Sequence, residues 1–463
     1  MNYISTRGSA PILSFEDTML TGLARDGGLY VPKSIPTMSQ ADIRAMVGLN
    51  YEEIAFRVMR PFVGDSFSEE EFFEIIQRSY AGFNHLARAP LTQLDSNHFL
   101  LELFHGPTLA FKDFAMQLIG QMFQVALRRR DERVTIVGAT SGDTGSAAIE
   151  AFRGLDTVDI FILYPHGRVS EVQRRQMTTP KENNVHALAL DGHFDDCQAR
   201  LKDMFNDFDF RDSVQLAGVN SINWARVLAQ VVYYFSSAIS LGAPDRPVSF
   251  TIPTGNFGDV FAGYIAKCMG LPVDQLVVAT NQNDIVHRCL STGKYKKDKV
   301  LSSLSPSMDI QISSNFERAL FDACDRNGNA VSRIMEDLSQ RNGFSLSKCV
   351  SEKLSQHFSS NSASEEETLA TIKKCFTQTG ELLCPHTAIG VNVAEKTRFS
   401  DTPMITLATA HPAKFPDAVE KASDLRPPLP ERMDDLYQRS ERLTRVENDL
   451  TKLEEIVKER IKT

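Results

Sequence analysis

From about residue 100 onward, short apolar runs rich in β-branched residues alternate with segments whose apolar residues recur at helical spacing. The runs at 133–137, 160–163, 185–190, 214–219, 248–252, 276–279 and 404–407 predict strands, and the segments at 170–177, 194–205, 224–239 and 260–269 predict helices. Such alternation predicts a mostly parallel, twisted sheet with helices on both faces. Ligands bind beyond the carboxyl ends of the strands in these folds, so functional residues should directly follow strands.

The segments on either side of this alternating region predict further units. We assign 1–98 to an N-terminal domain, 99–132 with 210–426 to a large domain, 133–209 to a small α/β domain, and 427–463 to a C-terminal helix. The helix is predicted because Leu436, Leu443, Leu450 and Val457 are spaced seven residues apart behind a proline-rich hinge. The stretch near 284–380 is less regular and predicts an insertion, in which the serine-rich segment 359–364 predicts an exposed loop.

Composition narrows the class of protein. The chain has 463 residues, of which 42% are hydrophobic and 24% charged, as expected of a soluble globular protein with more than one domain. The net charge of -9 argues against a nucleic-acid partner. We find neither an apolar run that could cross a bilayer nor a signal peptide, and we therefore predict a cytoplasmic protein without a membrane partner. The oligomeric state, monomer or homodimer, stays open.

The seven cysteines are scattered through the chain. They form no Cys-x-x-Cys pair, and no histidine stands at metal-ligand spacing from them. This pattern predicts reduced thiols and no metal site.

One lysine stands at the start of a predicted helix within the apolar segment 103–114. Gly106 and Pro107 form a non-helical loop, and an amphipathic run follows it. Lys112 should therefore lie near the positive end of a helix dipole, among apolar neighbours, where both the dipole and burial favour the uncharged amine. An uncharged amine is what a Schiff-base lysine needs. A surface lysine whose stem lies along an apolar face is the alternative interpretation.

Two loops of small residues follow predicted strands. Residues 138–145 combine glycines and hydroxyls at the start of a helix, which favours an anion, although the loop lacks the lysine of a Walker A motif. Residues 253–259 follow the strand 248–252, and their backbone N–H groups can converge on a phosphate without any basic side chain. Either loop alone can be a structural turn, but both together with Lys112 are stronger evidence for a site.

Two further strand ends carry polar side chains. The run 404–407 is followed by Thr409, which can hydrogen-bond a heterocycle nitrogen, by His411, for which a structural role is the alternative, and by Lys414. The run 214–219 is followed by a polar segment that opens a helix and contains Arg226, which can clamp a phosphate or carboxylate bidentately. A surface or ion-pair role for Arg226 is the alternative.

These stretches together resemble the threonine synthases of the longer bacterial and fungal form, which are pyridoxal-phosphate enzymes of the tryptophan-synthase-β fold type. The matching stretches occur in order at 3–8, 22–30, 103–114, 138–145, 220–226, 254–259, 305–318 and 408–415. The resemblance implies a two-lobed α/β fold with twisted, mostly parallel sheets and a small N-terminal domain. It also implies pyridoxal 5'-phosphate as cofactor and conversion of O-phospho-L-homoserine and water into L-threonine and phosphate.

The resemblance further implies a role for each motif. Lys112 holds the cofactor, Thr409 faces the pyridine nitrogen, and the phosphate cup consists of Gly255, Asn256, Phe257, Gly258 and Asp259. The residues that hold the substrate carboxylate are Ser141, Gly142, Asp143 and Thr144. The candidates for contacts to the substrate phosphate are Asn220, Ser221, Asn223, Arg226 and Lys414.

Other functions stay open at this point. One is a related phospho-lyase that releases 2-oxobutyrate, or another eliminating enzyme of the same fold, such as a dehydratase or a cysteine-synthase type. A catalytically silent homologue that binds the cofactor and a phosphate-loop nucleotide binder are alternatives from different classes.

Overall fold

The computed structural model describes residues 1–218, 221–398 and 401–461. Its strands are β1 (Tyr3–Ser5), β2 (Tyr30–Pro32), β3 (Leu91–Asp95), β4 (His98–Glu102), β5 (Val134–Ala139), β6 (Val158–Pro165), β7 (Val185–Leu190), β8 (Leu216–Ala217), β9 (Val248–Pro253), β10 (Val273–Thr280), β11 (Lys294–Lys296), β12 (Gly343–Ser345), β13 (Phe358–Ser362), β14 (Met404–Ala408) and β15 (Thr444–Val446).

The helices follow the same chain order. They are α1 (Phe15–Thr21), α2 (Gln40–Arg44), α3 (Tyr51–Val63), α4 (Glu69–Tyr80), α5 (Lys112–Arg130), α6 (Asp143–Phe152), α7 (Glu171–Thr178), α8 (Phe194–Asn206), α9 (Phe208–Ser213), α10 (Trp224–Ser240), α11 (Gly258–Cys268), α12 (Ile285–Thr292), α13 (Phe316–Ala323), α14 (Gly328–Arg341), α15 (Lys348–Ser355), α16 (Glu365–Thr379), α17 (Pro385–Thr397), α18 (Pro416–Ser423) and α19 (Leu450–Arg460).

Two sheets form the cores of two lobes. The large lobe contains a six-stranded sheet in the order β13-β10-β9-β14-β4-β3, in which every neighbouring pair is parallel except β3 with β4. The small lobe contains a five-stranded parallel sheet in the order β15-β7-β6-β5-β8. Every residue of β6 is buried, as expected of a parallel strand covered on both faces. The predicted mostly parallel α/β architecture is confirmed.

Helix α10 joins the N-terminal region to the large lobe. It is buried almost all round and packs against α3, α5 and α11. A helix that is apolar on every side needs neighbours on every side. Because α10 carries Arg226 near its start, and α5 begins with Lys112, their mutual packing fixes both cations on one scaffold.

The domain boundaries differ from the predicted ones in two places. Strand β3 pairs with β4 in the sheet of the large lobe, so the N-terminal unit ends before residue 91 and not at 98. Strand β8 pairs with β5, so the small lobe extends beyond residue 209. The predicted strand 214–219 is shorter in the structure, and its last residue, Val219, lies outside the described residues.

Two element predictions were wrong. The serine-rich segment 359–364 was predicted to be an exposed loop, but its residues 359–362 belong to β13, which pairs with β10 as the edge strand of the large sheet. The C-terminal segment is not one helix, because residues 444–446 form β15 beside β7, and α19 is the only α-helix among its described residues. Val446, Leu453 and Val457 pack into the core of the small lobe. In the described ranges no helix is long and apolar enough to cross a membrane.

Candidate active site

The carboxyl ends of strands from both sheets border one cleft of about 650 Å³. Residues that follow β5, β9 and β14 line it, as the parallel topology predicts. The predicted site residues that line the cleft are Lys112, Ser141, Thr144, Ser221, Arg226, Gly255, Asn256, Phe257, Gly258, Asp259 and Thr409. Gly142, Asp143, Asn223 and Lys414 are not among its lining residues, and Asn220 lies outside the described residues.

Lys112 is the first residue of α5 and is buried, with 8% of its surface exposed. Its Nζ lies 3.4 Å from Oδ2 of Asp143. Burial lowers the pKa of Lys112, the charge of Asp143 opposes this, and the charges of Lys414 and Arg226 add to the lowering. The net effect makes the amine easier to deprotonate, as the sequence predicts for a nucleophilic lysine.

Asp143 begins α6 in the small lobe and is surrounded by donors. Its Oδ1 accepts from Lys414 Nζ and from Gln173 Nε2, both at 2.9 Å, and its Oδ2 accepts from Ser307 Oγ at 3.3 Å. Burial would raise the pKa of Asp143, but the charges of Lys414 and Lys112 outweigh burial and hold it well below its usual range. Asp143 therefore stays ionised and acts as the counter-ion of both lysines.

Two of the predicted phosphate contacts lie behind the cleft. Lys414 is fully buried, and its Nζ donates to the Thr108 carbonyl at 2.7 Å as well as to Asp143. Asn223 caps α10 by accepting from Ala225 N at 3.0 Å, and its amide donates to the Met19 carbonyl at 2.8 Å. The polar groups of both side chains are thus used by the protein itself.

The loop after β9 has the geometry of an anion cup. The backbone N–H groups of Gly255, Asn256 and Phe257 donate to no acceptor in the described part of the chain, and all three residues line the cleft at the N-terminus of α11. Phe257 adopts the left-handed conformation with φ of +63°. Its buried ring packs edge-on against Phe316 with a centroid distance of 5.1 Å, which anchors this unusual backbone. Unpaired N–H groups at a helix start fit a phosphate group.

A carboxyl group stands beside this cup. Oδ1 of Asp259 accepts from the hydroxyls of Tyr233 at 2.5 Å and Tyr234 at 2.9 Å, while Oδ2 is buried without a partner among the described residues. Burial raises the pKa of Asp259 to about 6, although the two tyrosine hydroxyls act against the increase. The tyrosines thus fix the orientation of this carboxyl group.

Arg226 provides positive charge in the cleft. Its side chain is 4% exposed and lines the cleft near Ser221. Burial lowers the pKa of Arg226 to about 10, so that the guanidinium group keeps its charge at neutral pH. A buried guanidinium in an otherwise acidic protein gives an anionic ligand a local partner.

His386 is a residue of the cleft that the sequence analysis missed. It is the second residue of α17, and its Nε2 accepts from the Ser307 N–H at 3.3 Å. The proton of the neutral ring must therefore be on Nδ1, which is buried without a partner in the described ranges. Burial lowers the pKa of His386 to about 4. His386 follows a loop and not a strand, so the rule that ligands bind beyond strand ends did not point to it. The only local pattern in the sequence is the helix start Cys384-Pro385-His386.

The fold and the cleft together define a class of protein. Two lobes with mostly parallel sheets, a buried lysine and a glycine-containing anion cup make this chain a pyridoxal-phosphate-dependent enzyme of the tryptophan-synthase-β fold type. The family model described as "Pyridoxal-phosphate dependent enzyme" matches residues 83–344. The model "Threonine synthase N terminus" matches residues 2–80, and "Threonine synthase, C-terminal" matches residues 387–457. The chain belongs to the threonine synthase family.

Similar proteins cover the whole chain. The threonine synthase of Pseudomonas aeruginosa is 55% identical over 99% of this chain and 98% of its own length. The crystal structure of threonine synthase from Brucella melitensis with bound PLP superposes with a TM-score of 0.98 at 54% identity, and 100% of both chains is covered. The yeast enzyme gives a TM-score of 0.95 at 40% identity over 99% of this chain and 98% of its own. The resemblance, the lyase class and the cofactor expected from the sequence are confirmed. In the described ranges no group of side chains is arranged to hold a metal ion.

Proposed function

We propose that this enzyme converts O-phospho-L-homoserine and water into L-threonine and phosphate, and that Lys112 carries the chemistry. The observation that supports this assignment is the meeting of three features in one cleft. These are a buried lysine with a lowered pKa, a cup of unpaired N–H groups at 255–257, and the buried guanidinium of Arg226. An amino acid that carries a phosphate ester needs a cofactor site and a second anion site side by side.

The residues present fit pyridoxal phosphate. Lys112 would hold it covalently, the N–H groups of Gly255, Asn256 and Phe257 would receive its phosphate together with Gly258 and Asp259, and Thr409 would face its ring nitrogen. When bound, the cofactor supplies the electron sink that makes the carbon protons of the substrate acidic. A hydroxyl such as that of Thr409, unlike a carboxylate, does not keep the ring nitrogen protonated.

The substrate would occupy the remaining space of the cleft. Ser141 and Thr144 line it at the start of α6 and would bind the substrate carboxylate. Gly142 would shape this loop without contacting the substrate, because its N–H donates to Thr140 Oγ1 at 2.9 Å. Arg226 and Ser221 would bind the substrate phosphate. Asn223 would support this site by capping the helix of Arg226, and Asn220 stays a prediction.

Proton transfer is the task of Lys112. Released from the cofactor, its amine would move the protons at Cα and Cβ, which permits phosphate to leave from Cγ. Cγ is then protonated, and water adds at Cβ to give threonine. Asp143, held by Lys414, would keep the charge of Lys112 balanced during these transfers.

The test compares the wild type with Lys112→Ala on O-phospho-L-homoserine, and it follows phosphate, threonine and 2-oxobutyrate. Threonine equal to phosphate in the wild type, and no turnover in the variant, supports the proposal. Phosphate accompanied by 2-oxobutyrate would instead show a lyase, and no phosphate from cofactor-loaded protein would exclude this substrate. Lys267→Ala, which changes a lysine of α11 that does not line the cleft, is the matched control and should keep full activity.

We further propose that the enzyme works in the cytoplasm as a monomer or homodimer, without a nucleic-acid or membrane partner. The seven cysteines all lie within the described residues and all are free thiols, which supports a reducing compartment. Sedimentation of the purified protein distinguishes a monomer from a homodimer.

A further inference from the structure

A second cavity lies on the other side of the loop that precedes Lys112. It has a volume of about 220 Å³, and Pro107 and Thr108 of this loop form part of its wall. The rest of the wall comes from α6, α7 and the C-terminal segment around Arg432. Among the described residues, none that lines this cavity also lines the cleft of Lys112, so the proposed reaction does not use it.

Three arginines line this cavity, and they are not equally neutralised. Arg153 pairs with Glu150 at 2.9 Å, and Arg439 pairs with Asp435 at 2.6 Å. Arg432 forms no ion pair in the part of the chain that the structure describes. Its Nη2 donates to the Gly106 carbonyl at 2.7 Å, and its Nε is buried without a partner among the described residues. This wall therefore has an excess of positive charge and a free donor, as a binding site for a carboxylate needs.

Gln176 adds an unpaired acceptor to the same wall. Its side-chain amide donates from Nε2 to the Thr108 carbonyl at 3.1 Å, and only this orientation of the amide can make that bond. The residue is 7% exposed, and its Oε1 has no hydrogen-bond partner in the described ranges. The carboxyl group of Glu150 lines the same cavity, and although its Oε1 pairs with Arg153, its Oε2 has no hydrogen-bond partner in the described ranges and is a second acceptor. A bare anion would satisfy the arginines and leave both acceptors unused.

We propose that this cavity binds a small α-amino acid, with its carboxylate at Arg432 and Arg439 and its ammonium group at Gln176 and Glu150. A zwitterion of this kind is complementary to both sets of groups, and the volume suits a ligand of a few heavy atoms. The Thr108 carbonyl that binds Gln176 also binds Lys414 Nζ at 2.7 Å. A ligand that contacts Gln176 is therefore linked to Lys414, and so to the ion pair of the active site, through two hydrogen bonds that share the Thr108 carbonyl. This assignment does not depend on which substrate the cleft accepts.

The test is calorimetric titration of the cofactor-loaded enzyme with glycine, L-serine and L-threonine, with acetate and inorganic phosphate as anion probes. Binding in the cleft is recognised separately, because an amino acid that reacts there changes the visible absorption of the cofactor. We expect at least one amino acid to bind the wild type without that change, and about tenfold more weakly to Arg439→Gln and Glu150→Gln. Arg341→Gln is the matched control, because Arg341 also pairs with an aspartate four residues earlier on its helix, and it should bind like the wild type.

Three results would overturn the proposal. The first is that no amino acid gives heat of binding at millimolar concentration. The second is equal affinity in the wild type and in Arg439→Gln. The third is binding of acetate or phosphate as tightly as any amino acid, which would reduce the cavity to a site for an adventitious ion only.

Discussion

Asp143 of the small lobe accepts a hydrogen bond from the buried Lys414 of the large lobe at 2.9 Å, and the same carboxylate lies 3.4 Å from Lys112 Nζ. One buried acid thus balances two buried amines from the facing lobe. Buried charges are tolerated only when they are paired, so each member of this triad depends on the others. The triad links the contact between the lobes to the charge of Lys112, the lysine that we propose to be catalytic.

We predict that Asp143→Asn destabilises the protein and lowers the pKa of Lys112 further. The substitution leaves two buried amines without their counter-ion, and breaking such a pair lowers the free energy of unfolding by about 3–5 kcal/mol. Urea unfolding measures the change. The control is Asp337→Asn, which removes the exposed partner of Arg341 and should leave the unfolding midpoint unchanged. An Asp143→Asn protein as stable as the wild type would show that the triad contributes nothing.

Gly255→Ala should weaken cofactor binding about tenfold. A Cβ at this position would lie 2.7 Å from the Ser307 carbonyl oxygen, so that either the anion cup or the segment around Ser307 must move. Equilibrium dialysis against pyridoxal phosphate measures the affinity directly. At Gly82 an added Cβ meets nothing within 4 Å, and Gly82→Ala should bind the cofactor like the wild type. Equal affinity in both variants would contradict a rigid cup.

Replacement of Arg226 should weaken the binding of phosphate and leave the cofactor in place. We expect inorganic phosphate to inhibit Arg226→Gln about tenfold more weakly than the wild type, with an intermediate value for Arg226→Lys, because a lysine keeps the charge but loses the planar fork. The cofactor's visible absorption checks occupancy. Arg78→Gln, which changes an exposed arginine on α4, is the control. Unchanged inhibition in Arg226→Gln would remove Arg226 from the substrate site.

The part of this site that follows the carboxyl ends of strands could be predicted from the sequence. Lys112, the loop at 138–145 and the loop at 253–259 all follow the rule that ligands bind beyond the carboxyl ends of parallel strands, and the structure brings them to one cleft. Position in the sequence did not show which side chains line the cleft and which support it from behind. Asn223 and Lys414 belong to the right segments, yet their hydrogen bonds to Met19 and Thr108 turn them away from the cleft, and those partners are remote in sequence.

The errors have a common physical origin. The heptad spacing of Leu436, Leu443, Leu450 and Val457 predicted a helix, but pairing of 444–446 with β7 overrode it, and Leu443 is exposed. The serine-rich segment at 359–364 looked polar enough for a loop, yet β10 supplies backbone partners that make it an edge strand. In both cases a tertiary contact overrode local propensity, and no local pattern reports such a contact.

The buried histidines should make the protein sensitive to mild acid. Burial lowers the pKa of both His98 and His386 to about 4. Between their unfolded pKa of about 6.5 and pH 4 the unfolded chain takes up protons that the folded chain does not. The contribution of these histidines to the free energy of unfolding is therefore fully present above pH 6.5. It falls as the pH is lowered towards 4, by about 3 kcal/mol for each histidine. Urea unfolding at several pH values should show this decrease and a shallower one in His98→Gln, and identical slopes would contradict it.

His386 should act through its Nδ1 proton, because Nε2 already accepts from the Ser307 N–H. Asparagine places a donor near the position of Nδ1, whereas glutamine places one near Nε2. We therefore expect His386→Asn to keep most of the activity and His386→Gln to lose about tenfold in kcat/KM, the effect of one hydrogen bond to a bound ligand. Because the pKa of His386 is about 4, removing this histidine should not change the pH profile above pH 6. Equal losses in the two variants would assign His386 a packing role against Phe415, which its ring contacts at a centroid distance of 4.8 Å.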